Sequence, residues 1–325
     1  MICDSHIHFF SPGFFTGLGA NRDALTGIGW DDPESIEALA GRWVLELDRH
    51  GVNQAALIAS LPGDADSVAK AIALHPSRFV GFFMLDPTRD DAIAYATRAL
   101  DSGLRTICLF PAMHKYALHD DRVVNVFELA NSYAASTAAP TSEALAHRSL
   151  GEGGSPTRRG APSPTPTKGW RPSIFIHCGV LSVGVRQQLG LPSPFDIRFG
   201  NPLDLHGVAL KFPNVPIIIP HFGAGMLREA LMVASLCPNV LLDTSSSNSW
   251  IKQTPGLTLE QVFRTALDVV GPGRLLFGTD SSFFPRGWNR AIYDQQEAVL
   301  ERLGVTPEDQ QRIFAGNFTR LFTAI

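Results

Sequence analysis

What most constrains this 325-residue chain is a repeated alternation: short apolar runs, each followed by an amphipathic stretch of helical length. The runs at 2–10, 52–60, 78–85, 104–110, 173–179, 215–221, 239–244 and 275–280 read as strands. Helices are expected at 33–50, 66–74, 90–101, 120–133, 202–211, 226–236, 259–270 and 291–303, with a further one at 307–322. The first helix carries its own punctuation, with Asp32 as N-cap, Pro33 at the first helical position and Gly51 as the stop. Parallel strands need a long crossover between them, and a helix is the usual one. Eight strands, each with its own helix, predict a single closed (β/α)₈ TIM barrel spanning 1–325 rather than an open doubly wound sheet. No Gly-x-Gly-x-x-Gly turn opens any helix, which argues against a dinucleotide site.

One segment breaks the alternation. Residues 136–172 hold six prolines among Ser, Thr, Gly and Ala, with almost no bulky apolar side chains. Such a stretch buries too little surface to offset its ordering entropy, so disorder is expected. It joins the fourth helix to the fifth strand and therefore leaves the barrel on the side opposite the usual active-site face. Elsewhere, 45% hydrophobic and 18% charged residues suffice for a large core. A net charge of −4 gives no footing for nucleic acid or an anionic membrane. Four cysteines without paired spacing, no basic and apolar leader and no apolar run of ~20 residues make a cytoplasmic protein the expectation.

The chemistry begins at Asp4-Ser5-His6-Ile7-His8. Residues two apart on a strand share a face, so His6 and His8 project together into the barrel mouth. Taken alone, such a pair is more often a structural or surface feature than a metal site. Three further residues change that: His177, His221 and Asp280 each end an apolar run on a different strand. Catalytic groups of this fold converge at those strand ends. Four strands delivering ligand-type side chains to one face point to a bound divalent cation.

The ordered motifs Asp-Ser-His-Ile-His, Phe-Ile-His-Cys-Gly, Ile-Pro-His-Phe-Gly-Ala-Gly, Asn-Val-Leu-Leu-Asp-Thr-Ser and Leu-Phe-Gly-Thr-Asp-Ser-Ser-Phe resemble the amidohydrolase-related family, from residue 2 to about 322. That family contains metal-dependent hydrolases and non-oxidative decarboxylases of the aminocarboxymuconate-semialdehyde and resorcylate type. The resemblance implies His6, His8, His177 and Asp280 as metal ligands and His221 as the acid/base, with Asp280 also able to shuttle a proton. Three imidazoles and a carboxylate suit Zn²⁺ first, with Mn²⁺ or Co²⁺ as alternatives. Two-metal relatives carry a bridging lysine on the fourth strand. Here Cys108 stands in that region, which implies one metal, and Cys108 and Cys178 read as buried core residues.

Other assignments stay open on sequence alone. Arg22, Arg186, Arg198 and Arg286 lie in mouth loops, either solvated or pairing with a substrate carboxylate. His114 and Lys115 follow the fourth strand and either reach the pocket or face solvent. Trp250 and Trp288 either line an apolar wall or pack against loops, while Asp243 and Ser245 are expected behind the ligands. The aromatic, glycine-rich loop 11–31 and the loop 180–200 emerge on the functional face, where they are placed to cover a pocket. The leading expectation is a hydrolase in which metal-activated water attacks a C–O or C–N bond of a small carboxylated substrate. A metal-dependent decarboxylase of an unsaturated or aromatic acid is the alternative. An inactive barrel with a binding role is the third, and a homodimer is compatible with each.

Overall fold

The eight runs become β1 (Cys3–Phe9), β2 (Gln54–Ala59), β3 (Phe79–Leu85), β4 (Thr106–Leu109), β5 (Ser173–Ile176), β6 (Ile217–Ile219), β7 (Val240–Asp243) and β8 (Leu275–Leu276). They lie in the order 1 to 8 in one sheet, each parallel to the next. Ile7 pairs with Ser281, and the N–H of His8 donates to the Ser281 carbonyl at 2.8 Å, so the last strand returns to the first and the sheet closes. The computed structural model describes every residue except 18–21, 28, 31–32, 134–170, 246–248, 283–285 and 324–325. The 136–172 insertion therefore lies outside the described residues apart from Arg171 and Pro172.

Side-chain alternation along each strand sorts the core into two layers. Val80, Phe82 and Met84 of β3 point inward with Ile58, Cys108, Phe175, Ile218 and Leu241. Phe79, Phe83 and Leu85 point outward beneath the surrounding helices. Those helices are α1 (Ile36–Arg49), α2 (Ala65–Leu74), α3 (Ala92–Asp101), α4 (Asp121–Ser132), α5 (His206–Lys211), α6 (Leu227–Leu236), α7 (Leu259–Val270) and α8 (Arg290–Arg302). The C-terminal stretch starts as a helix at Pro307–Gln311 and continues through wider π-type turns at Arg312–Gly316 and Thr319–Thr323. From it, Phe318 and Phe322 join the interior cluster, the Phe322 ring 5.1 Å from that of Phe82.

Two boundaries differ from the sequence expectation for physical reasons. The first helix starts at Ile36 rather than Pro33, because Ser35 is extended (φ −155°) and its hydroxyl accepts the Ala38 N–H at 3.1 Å. Asp32, the expected cap, lies outside the described residues. The stretch 202–211 is divided, with a tight turn at Pro202–Leu205 leading into α5.

Candidate metal centre

His6 and His8 come from β1, which carries a register shift against β2 between Asp4 and Ile7. The other site residues stand just beyond strand ends rather than on them. β6 stops at Ile219 because Pro220 has no N–H to continue the ladder and His221 is left-handed (φ 55°). β8 stops at Leu276, and Asp280 is also left-handed (φ 57°). Neither residue is glycine, so both conformations carry a local cost that the surroundings must hold in place. Gly278 allows the last strand to pass close to the first: a Cβ there would lie 2.9 Å from the His6 Cβ and 2.8 Å from Asp243 Oδ1.

The donor atoms meet closely. His6 Nε2 lies 3.4 Å from His8 Nε2 and 3.6 Å from Asp280 Oδ1, and His8 Nε2 lies 3.2 Å from the same oxygen. His6, His221 and Asp280 each offer a ligand atom within 4.8 Å of the others. His177 stands beside them, its ring 5.2 Å from that of His221, and its Nδ1 is buried with no hydrogen-bond partner among the described residues.

The far sides of the other three rings are fixed. His6 Nδ1–H donates to Asp243 Oδ2 at 2.8 Å. Ser60 Oγ donates to the Ile58 carbonyl and so accepts the Nδ1–H of His8 at 2.7 Å. The Ser245 carbonyl accepts from His221 Nδ1 at 2.9 Å, and Ser245 Oγ lies 2.9 Å from His6 Nδ1 and 3.0 Å from His221 Nδ1. With the proton held on Nδ1, the lone pair of each neutral ring sits on Nε2. For His6 and His8 those lone pairs face each other and a carboxylate oxygen. Four ligands at ~2.1 Å from one tetrahedral ion would stand ~3.4 Å apart, so the observed spacing fits a single divalent cation.

The charges follow from this packing. Burial lowers His8, His177 and His221 from the ordinary imidazole value, His177 furthest. Burial is the largest influence on His6 and acts against its charge, but the carboxylates of Asp243, Asp280 and Asp4 together outweigh it and raise that imidazole. For Asp280 burial is outweighed by the His8 hydrogen bond and the surrounding imidazoles, which hold the carboxyl well below its usual range. Three of the four imidazoles therefore charge more easily in the unfolded chain, where they titrate near pH ~6.5. Their contribution to stability is fully present above that value and is lost as the pH falls through their lowered folded values. His6 has the opposite sign, contributing below pH ~6.5 and fading as the pH climbs through its raised value. Chelator-stripped protein should therefore lose melting temperature on acidification from pH ~7 to ~5. A flat or rising profile in calorimetry would contradict the three-to-one balance.

The remaining expected residues separate clearly. Asp243 and Ser245 do back the ligand rings. Cys108 and Cys178 are buried core residues. Trp250 and Trp288 sit in the outer core layer rather than along a pocket wall, because α-helical packing covers that side of the sheet. The guanidinium of Arg198 is paired with Asp196 at 2.5 Å, and that of Arg186 donates to the Pro192 carbonyl at 3.0 Å. Arg286 donates to Ser282 Oγ at 2.6 Å, two residues past Asp280, while the Arg22 side chain lies outside the described residues. Lys115 is exposed, and His114 is held neutral by burial beside Tyr116. In the loop after β1, Phe10 stacks on Phe14 (3.9 Å) and packs beside His8 (5.7 Å), with Trp30 behind and Val183 and Leu189 of the loop after β5 against them.

Sequence reasoning missed two contributors. Ser60 follows β2 and holds His8, which the β1–β2 register could have indicated. Asp4 precedes His6 and His8 by an even spacing, but the register shift between Asp4 and Ile7 sets it opposite Ala55 in the outer layer, a placement that simple alternation does not indicate. It is fully buried, and burial pushes its carboxyl up to about 6 despite four hydrogen bonds to it.

A family model described as amidohydrolase matches residues 3–323. Protein fluG of Emericella nidulans is 31% identical over 103 residues, which make up 31% of this chain but only 12% of that much longer protein. In three dimensions the chain is similar to a protein from Acinetobacter baumannii described as a probable 2-pyrone-4,6-dicarboxylic acid hydrolase, with citric acid bound (TM-score 0.58, 14% identity, 99% of each chain covered). It is also similar to a 5-carboxyvanillate decarboxylase from Novosphingobium aromaticivorans with bound manganese and a nitrobenzoic acid ligand (TM-score 0.56, 13% identity, 100% of this chain and 97% of that one covered). At these identities the structural likeness concerns the fold.

Proposed function

Because the chain belongs to the amidohydrolase family, as an enzyme of hydrolase or decarboxylase type, we propose that it is a metal-dependent hydrolase in which water attacks a C–O or C–N bond of a small carboxylated substrate. The observation that carries this reading is the meeting of His6 Nε2, His8 Nε2 and Asp280 Oδ1 at 3.2–3.6 Å with their other sides already fixed. In this proposal His6, His8, His177 and Asp280 hold the ion, zinc ahead of manganese or cobalt, and His221 is the acid/base. When bound, a divalent cation supplies Lewis acidity that draws the pKa of water from ~15.7 towards ~7.

The protein's own groups do the rest. His221 keeps its Nδ1 proton on the Ser245 carbonyl, which leaves Nε2 free to take a proton from water and return it to the leaving group. Asp280, held ionised, supplies the negative charge. Of the described mouth arginines, Arg286 is the one tied to the segment carrying Asp280, and it is assigned to the substrate carboxylate. Decarboxylation of an unsaturated or aromatic acid is the second reading, favoured by the flat Phe10–Phe14 stack beside His8. No described helix is long and apolar enough to cross a membrane. A cytoplasmic setting is part of the proposal, supported by four free, buried cysteines.

Incubating metal-replete protein with carboxylated lactones and amides, and separately with unsaturated and aromatic acids, distinguishes the two. Hydrolysis with no CO₂ release is the expected result. CO₂ release with inert lactones and amides would transfer the assignment to the second reading.

A further inference from the structure

We propose that Asp4 is a positioning residue for the metal centre: its carboxylate ties the strand bearing His6 and His8 to the turn bearing Asp280 and so sets the distance between their donor atoms. The inference rests on the metal-dependent reading above and concerns a residue that is not itself a ligand.

Four donors from three separate segments converge on this one side chain. Asp4 Oδ1 accepts the N–H of His6 at 2.9 Å and the N–H of Thr279 at 3.2 Å. Asp4 Oδ2 accepts the Thr279 hydroxyl at 2.6 Å and the Trp288 indole N–H at 2.7 Å. Asp280 thus has a clamped neighbour on one side. On the other, Ser281 is held by its backbone pairing with Ile7, by its hydroxyl contact with Thr279 at 2.6 Å and by the Asn289 N–H at 2.8 Å. A left-handed aspartate persists only where its surroundings over-determine it, and here both flanking residues are fixed through contacts that lead back to Asp4 or to β1. The side chain has no solvent exposure, so its four donors are satisfied within the protein.

The chemistry of the position calls for a carboxylate. An asparagine has the same shape but presents an NH₂ on one side: it meets either two backbone N–H groups, or the Trp288 indole N–H together with a Thr279 hydroxyl that must turn round to accept, so at least one contact becomes donor against donor. Partners behind ligands commonly change metal affinity 10–100-fold when they are removed.

The test uses chelator-stripped full-length protein titrated with Co²⁺. The readouts are affinity by chelator competition and the visible absorption spectrum, which reports ligand geometry. Asp4→Asn should bind Co²⁺ about 10–100-fold more weakly than wild type, with a shifted spectrum. Trp288→Phe removes a donor to Asp4 while leaving the Thr279 links, so it should lower melting temperature yet keep affinity within about threefold and the spectrum unchanged. If Asp4→Asn does not fold, Thr279→Val and Thr279→Ser replace it: the valine should weaken binding and the serine restore it. Wild-type affinity and spectrum in Asp4→Asn, or in Thr279→Val, would overturn the inference. Absence of Co²⁺ binding by wild type itself would instead overturn the metal-dependent reading on which it rests, a result readily told apart from the first.

Discussion

Asp280→Ala should reduce bound metal to below about half an ion per chain and lower kcat/KM by at least ~10³-fold, a loss of roughly 4 kcal/mol of barrier lowering. Among the described residues, this carboxylate is the one negative group facing the Nε2 atoms of His6 and His8, at 3.6 and 3.2 Å. Its low pKa means that it is charged throughout the neutral range. Without it, neutral imidazoles alone must balance a doubly charged ion in a largely buried site, where uncompensated charge is costly. Metal analysis and steady-state kinetics on the same preparation check this. A variant with a full metal complement and near-normal turnover would remove Asp280 from the centre. Wild-type protein with less than about half an ion per chain at high purity would favour a barrel that survives as a binding protein.

His221→Asn should keep the metal and lose about 10²–10⁴-fold in kcat, with KM little changed, whereas His177→Gln should lose the metal. Asparagine is chosen at 221 because it tolerates the left-handed backbone there. The comparison matters because the geometry brings both histidines to the ion's neighbourhood. His221 offers a ligand atom within 4.8 Å of those of His6 and Asp280, and His177 lies one ring beyond. Loss of metal in His221→Asn with retention in His177→Gln would exchange the two roles. The tautomer of His221, with its Nδ1 proton committed to the Ser245 carbonyl, leaves Nε2 open to either role, so the metal content of the two variants decides between them.

The barrel was readable because every strand is a short apolar run with helical punctuation after it, and β1 to β8 fall within the expected runs. The convergence of His6, His8, His221 and Asp280 was readable from the same pattern, since strand ends of a parallel barrel share one face. The turns that aim them were not. Nothing in Pro220-His221 or Thr279-Asp280 announces a left-handed histidine or aspartate, because that conformation is imposed by neighbours far away in sequence. The loop arginines were ambiguous for a related reason. Arg198 is taken by Asp196, two residues earlier, whereas the link from Arg286 to Ser282 depends on the path of a loop. Trp288 could be placed only once Asp4 was known to hold its indole.

The closure of the barrel through Ile7 and Ser281 also has a consequence for biogenesis. Asp4 and Thr279 lie 275 positions apart, so the pieces of the centre leave the ribosome far apart in time. A nascent chain that has emerged only as far as β7 carries both β1 histidines but no carboxylate at 280 to complete the cradle. On the metal-dependent reading, ion capture waits for the eighth strand, and a loaded centre certifies that the first and last strands of the barrel have found each other.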